Sequence, residues 1–169
     1  MATTAFVPID EYLRSDYEPD AEYVDGEIEE RPMGQFDHAS WQQAIQLWFS
    51  ARKREWNIRV LAEYRVKVAP ARYRVPDVTV FDRARPIEQI LTYPPIAVFE
   101  VLSPEDRMPR MLKKLKDYQT MGVQTIVVIN PETDTIYRYR DGVLTPDEEP
   151  ACPGSACLLD WTAIRELRD

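Results

Sequence analysis

Two carboxylates in this chain stand where carboxylates are costly. Asp77 follows Pro76 at the mouth of an apolar run, in RVPDVTVF, and Glu100 interrupts Ile, Ala, Val, Phe, Val and Leu in PPIAVFEVLSP. A charge inside an apolar strand is unfavourable unless it is paired or bound to a cation. The plain reading of Asp77 is a strand-initiating turn residue. For Glu100 it is a structural ion pair with Arg74 or a helix lysine. The chemical reading joins the two acids on neighbouring strands around a hard cation. Magnesium takes oxygen ligands, usually one or two carboxylates completed by waters and phosphate oxygens. Such an ion lowers the pKa of bound water and offsets charge on a phosphodiester under attack.

A cationic partner lies downstream. The helix RMLKKLKDYQTMG presents Met111, Leu112, Leu115 and Tyr118 on one face. Lys113 points away from that face, and Lys114 and Lys116 lie on its two flanks. A flank lysine can reach a site at the strand ends with its long stem. Periodicity does not choose between Lys114 and Lys116, and both read equally as solvated charges.

Other chemistries find little support. The one histidine, His38, falls in the first turn of a helix, where the plain reading is a helix-start residue and the functional one an active-site contact. One histidine supports neither a Ser-His-Asp triad nor a histidine metal cluster. Cys152 and Cys157 read as two reduced thiols in a loop rather than a zinc site. The chain has no glycine-rich phosphate loop, so ATP or dinucleotide use is not expected.

The elements that must position these residues alternate in type. Ile9–Arg14 reads as a short helix, and EYVDGEIEER as a hairpin turning at Asp25-Gly26. A helix follows, with Asp37 as its N-cap and Phe36 stapled to Trp41. Its buried face carries Trp41, Ala44, Ile45, Trp48 and Ala51. Strands are expected over 59–68 with a break inside, then 77–81 and 96–102, each bounded by proline. Ser103-Pro104-Glu105-Asp106 resembles a helix start, but Pro109 places the main helix from about Pro109 to Met121, stopped by Gly122. Thr125–Asn130 and Asp134–Tyr139 complete a strand pair, and the tail closes with a helix near Trp161–Leu167. This order predicts an α/β domain with a mixed sheet flanked by helices.

The bulk numbers fit one domain over residues 1–169, with a core at about 20–145 and a C-terminal tail packed on it. The N-terminus carries no basic start or apolar signal core, and no apolar run could span a membrane, so the expectation is a cytoplasmic protein. Net charge is 21 − 29 = −8. Nucleic-acid binding runs on phosphate neutralisation by Lys and Arg, so this charge argues against a general binder. It leaves room for a nuclease with a local basic patch or a bound metal.

Taken as a set, Asp77 in VPD, Glu100 in FEVLSP and Lys114 in KLKDYQTMGV, followed by VVINP, resemble the Uma-two-type restriction endonucleases of the PD-(D/E)XK superfamily. The likeness runs from about Glu22 to about Tyr139 and includes EYVDGEIEERP before the helix at His38. It implies a restriction-endonuclease-like fold and a Mg2+ (or Mn2+)-dependent endonuclease acting on DNA. Asp77 and Glu100 would bind the metal, with the backbone carbonyl of Val101. Lys114, four residues before Tyr118, would orient or activate the attacking water. Glu22, four residues before Gly26, would be a supporting acid, although an exposed strand charge explains it equally. One departure stands out: the E-x-K motif wants lysine at 102, where this chain has Leu102, so the lysine resembles one supplied by the following helix. Arg110 stands where many relatives have an acid. Members of this fold often work as dimers, so a homodimer is expected.

Two further readings compete. A catalytically weak or inactive family member could serve as a binding or assembly module, which the net charge and Leu102 favour and a basic groove at Asp77 would oppose. An acid-pair hydrolase without metal would need two carboxylates at fixed separation with split pKa values.

Overall fold

The computed structural model describes residues 5–168. Helix α1 (Ile9–Arg14) leads into the hairpin β1 (Ala21–Val24) and β2 (Glu27–Glu30). Asp25 and Gly26 join the strands with φ of 50° and 96°. Both are left-handed, as a two-residue turn matched to strand twist requires. Then come α2 (Phe36–Ser50), β3 (Ile58–Ala62), β4 (Val66–Ala69), β5 (Arg72–Arg74), β6 (Val78–Asp82) and β7 (Ala97–Val101). They are followed by α3 (Met108–Met121), β8 (Thr125–Asn130), β9 (Thr135–Arg140), β10 (Val143–Pro146) and α4 (Trp161–Arg165).

The strands form two sheets. One has six strands in the order β10-β9-β8-β7-β6-β3, the other four in the order β2-β1-β5-β4. β7 and β8 pair in parallel, and α3 is the crossover that a parallel pair requires. β6, β7 and β8 are buried along nearly their whole length, which explains their continuous apolar sequences. Ala97, Phe99 and Val101 of β7 pack under α2 with Trp41, Ala44, Ile45 and Phe49. Val98 packs on the opposite face with Met111, Leu115 and Tyr118 of α3. Side chains alternate along a strand, so Glu100 shares the face of Val98 and emerges toward α3.

The mixed α/β architecture matches the sequence expectation, with corrections of detail. The second sheet was not expected. Its β5 is three residues long, too short for a periodic signal. Helix α2 starts at Phe36, one residue before the expected cap, and its capping position at Gln35 makes no side-chain bond. Phe36 is 69% exposed, so no staple to Trp41 forms, and Asp37 pairs with Arg168 at 3.1 Å. Ala51 is exposed beyond the helix end. Helix α3 begins at Met108 with Pro109 in its first turn, where the missing N–H costs nothing. Ser103–Asp106 is a turn whose Ser103 N–H donates to the Asp106 carboxylate at 2.7 Å. Gly122 ends α3 at φ 111°, as expected.

Candidate active site

Asp77 stands one residue before β6. Its Oδ2 accepts the Val101 N–H of neighbouring β7 at 2.7 Å, which ties the first acid to the strand bearing the second. Arg31, following the β1–β2 hairpin, donates from Nη2 to Asp77 Oδ1 at 2.5 Å. His38 Nε2, in the first turn of α2, lies 3.2 Å from Oδ2. Gln42, one turn further along α2, donates to the Asp77 backbone carbonyl at 2.9 Å. Three separate elements therefore fix one carboxylate.

Glu100 is 2% exposed and meets α3. Lys114 and Tyr118, one turn apart on that helix, reach the same oxygen. Lys114 Nζ is 2.9 Å from Glu100 Oε1, and the Tyr118 hydroxyl donates to it at 2.7 Å. Lys114 also lies 2.7 Å from Glu22 Oε1 of β1. Glu22 in turn accepts the Val75 N–H at 2.9 Å and faces Arg74 Nη1 at 3.1 Å. Behind this layer, Arg74 bonds Asp117 of α3 at 2.8 Å and Glu29 at 2.9 Å, and Arg110 reaches Glu29 at 3.2 Å.

All four side chains singled out in the sequence thus converge. Lys114, not the exposed Lys116, is the lysine that reaches the acids. Glu22 is buried and paired, which removes its reading as an exposed strand charge. Val101 reaches Asp77 through its amide. The sequence pointed weakly to His38 and not at all to Arg31 or the Tyr118 hydroxyl, and Arg74, expected as a partner of Glu100, pairs instead with Glu22, Glu29 and Asp117. Lys114 and Tyr118 share an i, i+4 face, so that contact was available from spacing. Arg31 comes from a hairpin exit, where no pattern marks it, and Arg74 from a three-residue strand, where no pattern chooses its partners.

Residues 9–159 match the Uma2 family, described as "Putative restriction endonuclease". The chain belongs to this family. A crystal structure of a "putative nuclease belonging to DUF820" from Anabaena variabilis is similar at 26% identity with a TM-score of 0.75, over 96% of this chain and 94% of that one. A second structure, from a DrdV–DNA complex, aligns at 15% identity with a TM-score of 0.43, over 66% of this chain and 10% of that one. No curated protein matches.

In this Uma2 family member the electrostatics split the two acids. Burial would raise Asp77, but the hydrogen bond and charge of His38, with Arg31 and Lys114, outweigh it and hold the carboxyl down at about 2. Burial pushes Glu100 up to about 7, opposed by Lys114 and aided by Asp77 and Glu22. Burial alone would lower Lys114, but Glu100 and Glu22 keep it raised and charged. His38 is likewise raised, because Asp77 overcomes its desolvation.

Do these residues suit a divalent cation? The described residues contain no group of three or more His, Cys, Asp or Glu side chains arranged as metal ligands. Magnesium needs fewer, since water and phosphate complete its shell. The pocket has a cavity of about 70 Å³, which accommodates an ion and a few waters. Six carboxylates line it against five Lys and Arg, so it holds no excess of cations for a phosphate. Glu100 is a buried acid whose charge is unfavourable as it stands, and a hard cation would remove that penalty. The donor set fits, provided Arg31 and His38 yield part of their hold on Asp77.

Proposed function

We propose that this protein is a Mg2+- or Mn2+-dependent endonuclease that hydrolyses DNA phosphodiester bonds. The observation that carries the reading is Lys114 Nζ within 3 Å of both Glu22 and Glu100, beside an Asp77 tied to the same strand. A buried lysine between two acids, one of them raised toward neutrality, is the arrangement expected of a tuned hydrolytic site rather than of a minimal ion pair.

Asp77 and Glu100 would hold the metal, which supplies Lewis-acid activation of water and of the scissile phosphate. Lys114 is placed to donate a hydrogen bond to the attacking water and to offset charge in the transition state. Glu22 and Tyr118 keep the ammonium and Glu100 in position. Arg31 and His38 sit where a phosphate oxygen could take over their hydrogen bonds from Asp77. Family membership and the likeness to the Anabaena variabilis protein support the nuclease reading. A two-fold dimer would offer one such site to each strand of a duplex.

A second reading has its own observation. Asp77 is fully engaged by Arg31, His38 and the Val101 amide, so the network is closed without metal, as a structural core of a binding module would be. A supercoiled-plasmid cleavage assay with Mg2+ or Mn2+ separates the two. The nuclease reading predicts metal-dependent nicking that Asp77→Asn and Lys114→Met each reduce by about 100-fold or more while the fold is retained, the scale of one general acid–base or electrostatic group. Equal activity in both variants, or no cleavage by the native chain with either metal, favours the module.

A further inference from the structure

The candidate site holds no surplus of cations, yet the chain concentrates cations elsewhere. Arg52, Lys53 and Arg54 follow α2, Arg59 lies in β3, and Arg83 and Arg85 follow β6. The two turns are laced together at one end of the edge strand β3, with Arg52 over Trp48 on the α2 side of the sheet and Arg85 over Tyr93 on the α3 side. Arg83 N–H donates to the Asn57 carbonyl at 3.0 Å, and Arg59 Nη1 donates to the carbonyls of Arg83 and Arg85 at 3.0 and 3.2 Å.

Twelve of the 21 Lys and Arg residues make no ion pair among the described residues, and these six are the half of them gathered at one end of β3 and β6. Nine other Lys and Arg residues lie within 4.0 Å of a carboxylate, and among the described residues none of the six does. Arg52, Arg59 and Arg85 are held by contacts that leave their charge intact. Arg52 stacks 3.6 Å from the Trp48 ring and donates to the Trp48 carbonyl, and Arg85 lies 4.3 Å from the Tyr93 ring. Three acids are near in sequence, Glu55, Asp82 and Glu88; Asp82 accepts the Ala84 N–H at 2.8 Å, and Glu88 accepts the Thr92 N–H at 2.7 Å. In a chain of net charge −8, six cations against three acids form a local positive region.

Its position relates it to the site. β3 is the edge strand of the six-stranded sheet and runs antiparallel to β6, from Ala62 opposite Val78 to Ile58 opposite Asp82. Asp77 lies at one end of this ribbon and Arg83 at the other. Six residues of extended chain span about 20 Å. That is about six base pairs of duplex at ~3.4 Å each.

We infer that the Arg52–Arg54, Arg59, Arg83 and Arg85 surface binds the phosphate backbone of duplex DNA about six base pairs from the bond being cut. The inference rests on the nuclease reading of the Asp77 site. The patch would supply the phosphate neutralisation that the charge-balanced pocket lacks, with the duplex following the β3 edge. Arginine makes up five of the six cations, and its planar fork matches phosphate oxygens.

The test uses the full chain and a triple variant, Arg54→Ala/Arg83→Ala/Arg85→Ala, chosen because all three side chains are exposed and make no ion pair. Binding to a labelled duplex is measured by fluorescence anisotropy across a salt series, with cleavage and oligomeric state followed alongside. The expected result is a weaker complex whose log K against log salt slope is shallower by about 1 for each cation removed. A slope and affinity equal to the native chain, or no DNA binding by either protein, overturns the inference. So does a variant that binds DNA normally but changes its oligomeric state, which would make the patch a protein interface. The two readings fail separately. Native cleavage with an unchanged slope removes the patch alone. Weakened variant binding without native cleavage keeps the patch and removes the nuclease.

Discussion

Glu100 carries the sharpest residue-scale consequence. Its folded carboxyl sits at about 7, above its unfolded value, mainly because burial disfavours the charge. An acid raised by folding binds its proton more tightly in the native state. Stability is therefore fullest below the unfolded pKa and declines as pH rises toward the folded value. The metal-free protein is expected to lose stability between about pH 4.5 and 7, by about 3 kcal/mol from this group. His38, also raised in the folded state, adds loss in the same direction from its unfolded pKa near 6.5 upward. Glu100→Gln should flatten the acid's part of that profile, as read by denaturant unfolding at a series of pH values. A Gln variant with the native pH slope would show that Glu100 stays ionised throughout. At this scale the sequence was informative wherever a charge broke an apolar run, which is how Asp77 and Glu100 were found. It was silent where a cation came from a segment without a pattern. Arg31 reaches Asp77 from a hairpin exit that nothing in the sequence marks, and Arg74, expected to meet Glu100, is 1% exposed and pairs with Glu22, Glu29 and Asp117 instead.

Two helices convert the sheet into a site. α3 carries Lys114 and Tyr118 on one face, and α2 supplies His38 and Gln42 to Asp77 while Trp41, Ala44, Ile45, Trp48 and Phe49 along its length pack into the core. Trp41 is wholly buried between the sheet and the tail, with its ring 6.4 Å from that of Trp161. Trp41→Ala should destabilise the fold by about 3–5 kcal/mol in denaturant unfolding, the usual range for a buried aromatic. A loss under 1 kcal/mol would mean that the tail does not pack there. Helix and central-strand identities were legible because periodicity is strong where elements are long. The start of α2 was misplaced because Asp37 has the chemistry of a cap but is engaged by Arg168, a residue 131 positions away. Local capping rules cannot see such a partner. The second sheet was missed for a related reason: β5 gains its identity from pairing with β1 and β4, not from its own three residues.

At the scale of the whole molecule, charge is divided. The acids and their partner cations close over the candidate site, and six of the twelve cations without an ion pair among the described residues gather at the far end of β3 and β6. A net charge of −8 conceals this separation, which is why composition argued against nucleic acid while the fold leaves a surface suited to it. A pocket with two buried acids and no excess of cations makes metal the central requirement of the account. Isothermal titration of Mg2+ and Mn2+ into the native chain, Asp77→Ala and Glu100→Ala, each with a short duplex present and its fold verified, tests that requirement directly. The account predicts binding by the native chain and its loss in both variants. No binding by the native chain, or binding that survives both substitutions, would contradict it and leave Glu100 and Lys114 as a structural ion pair.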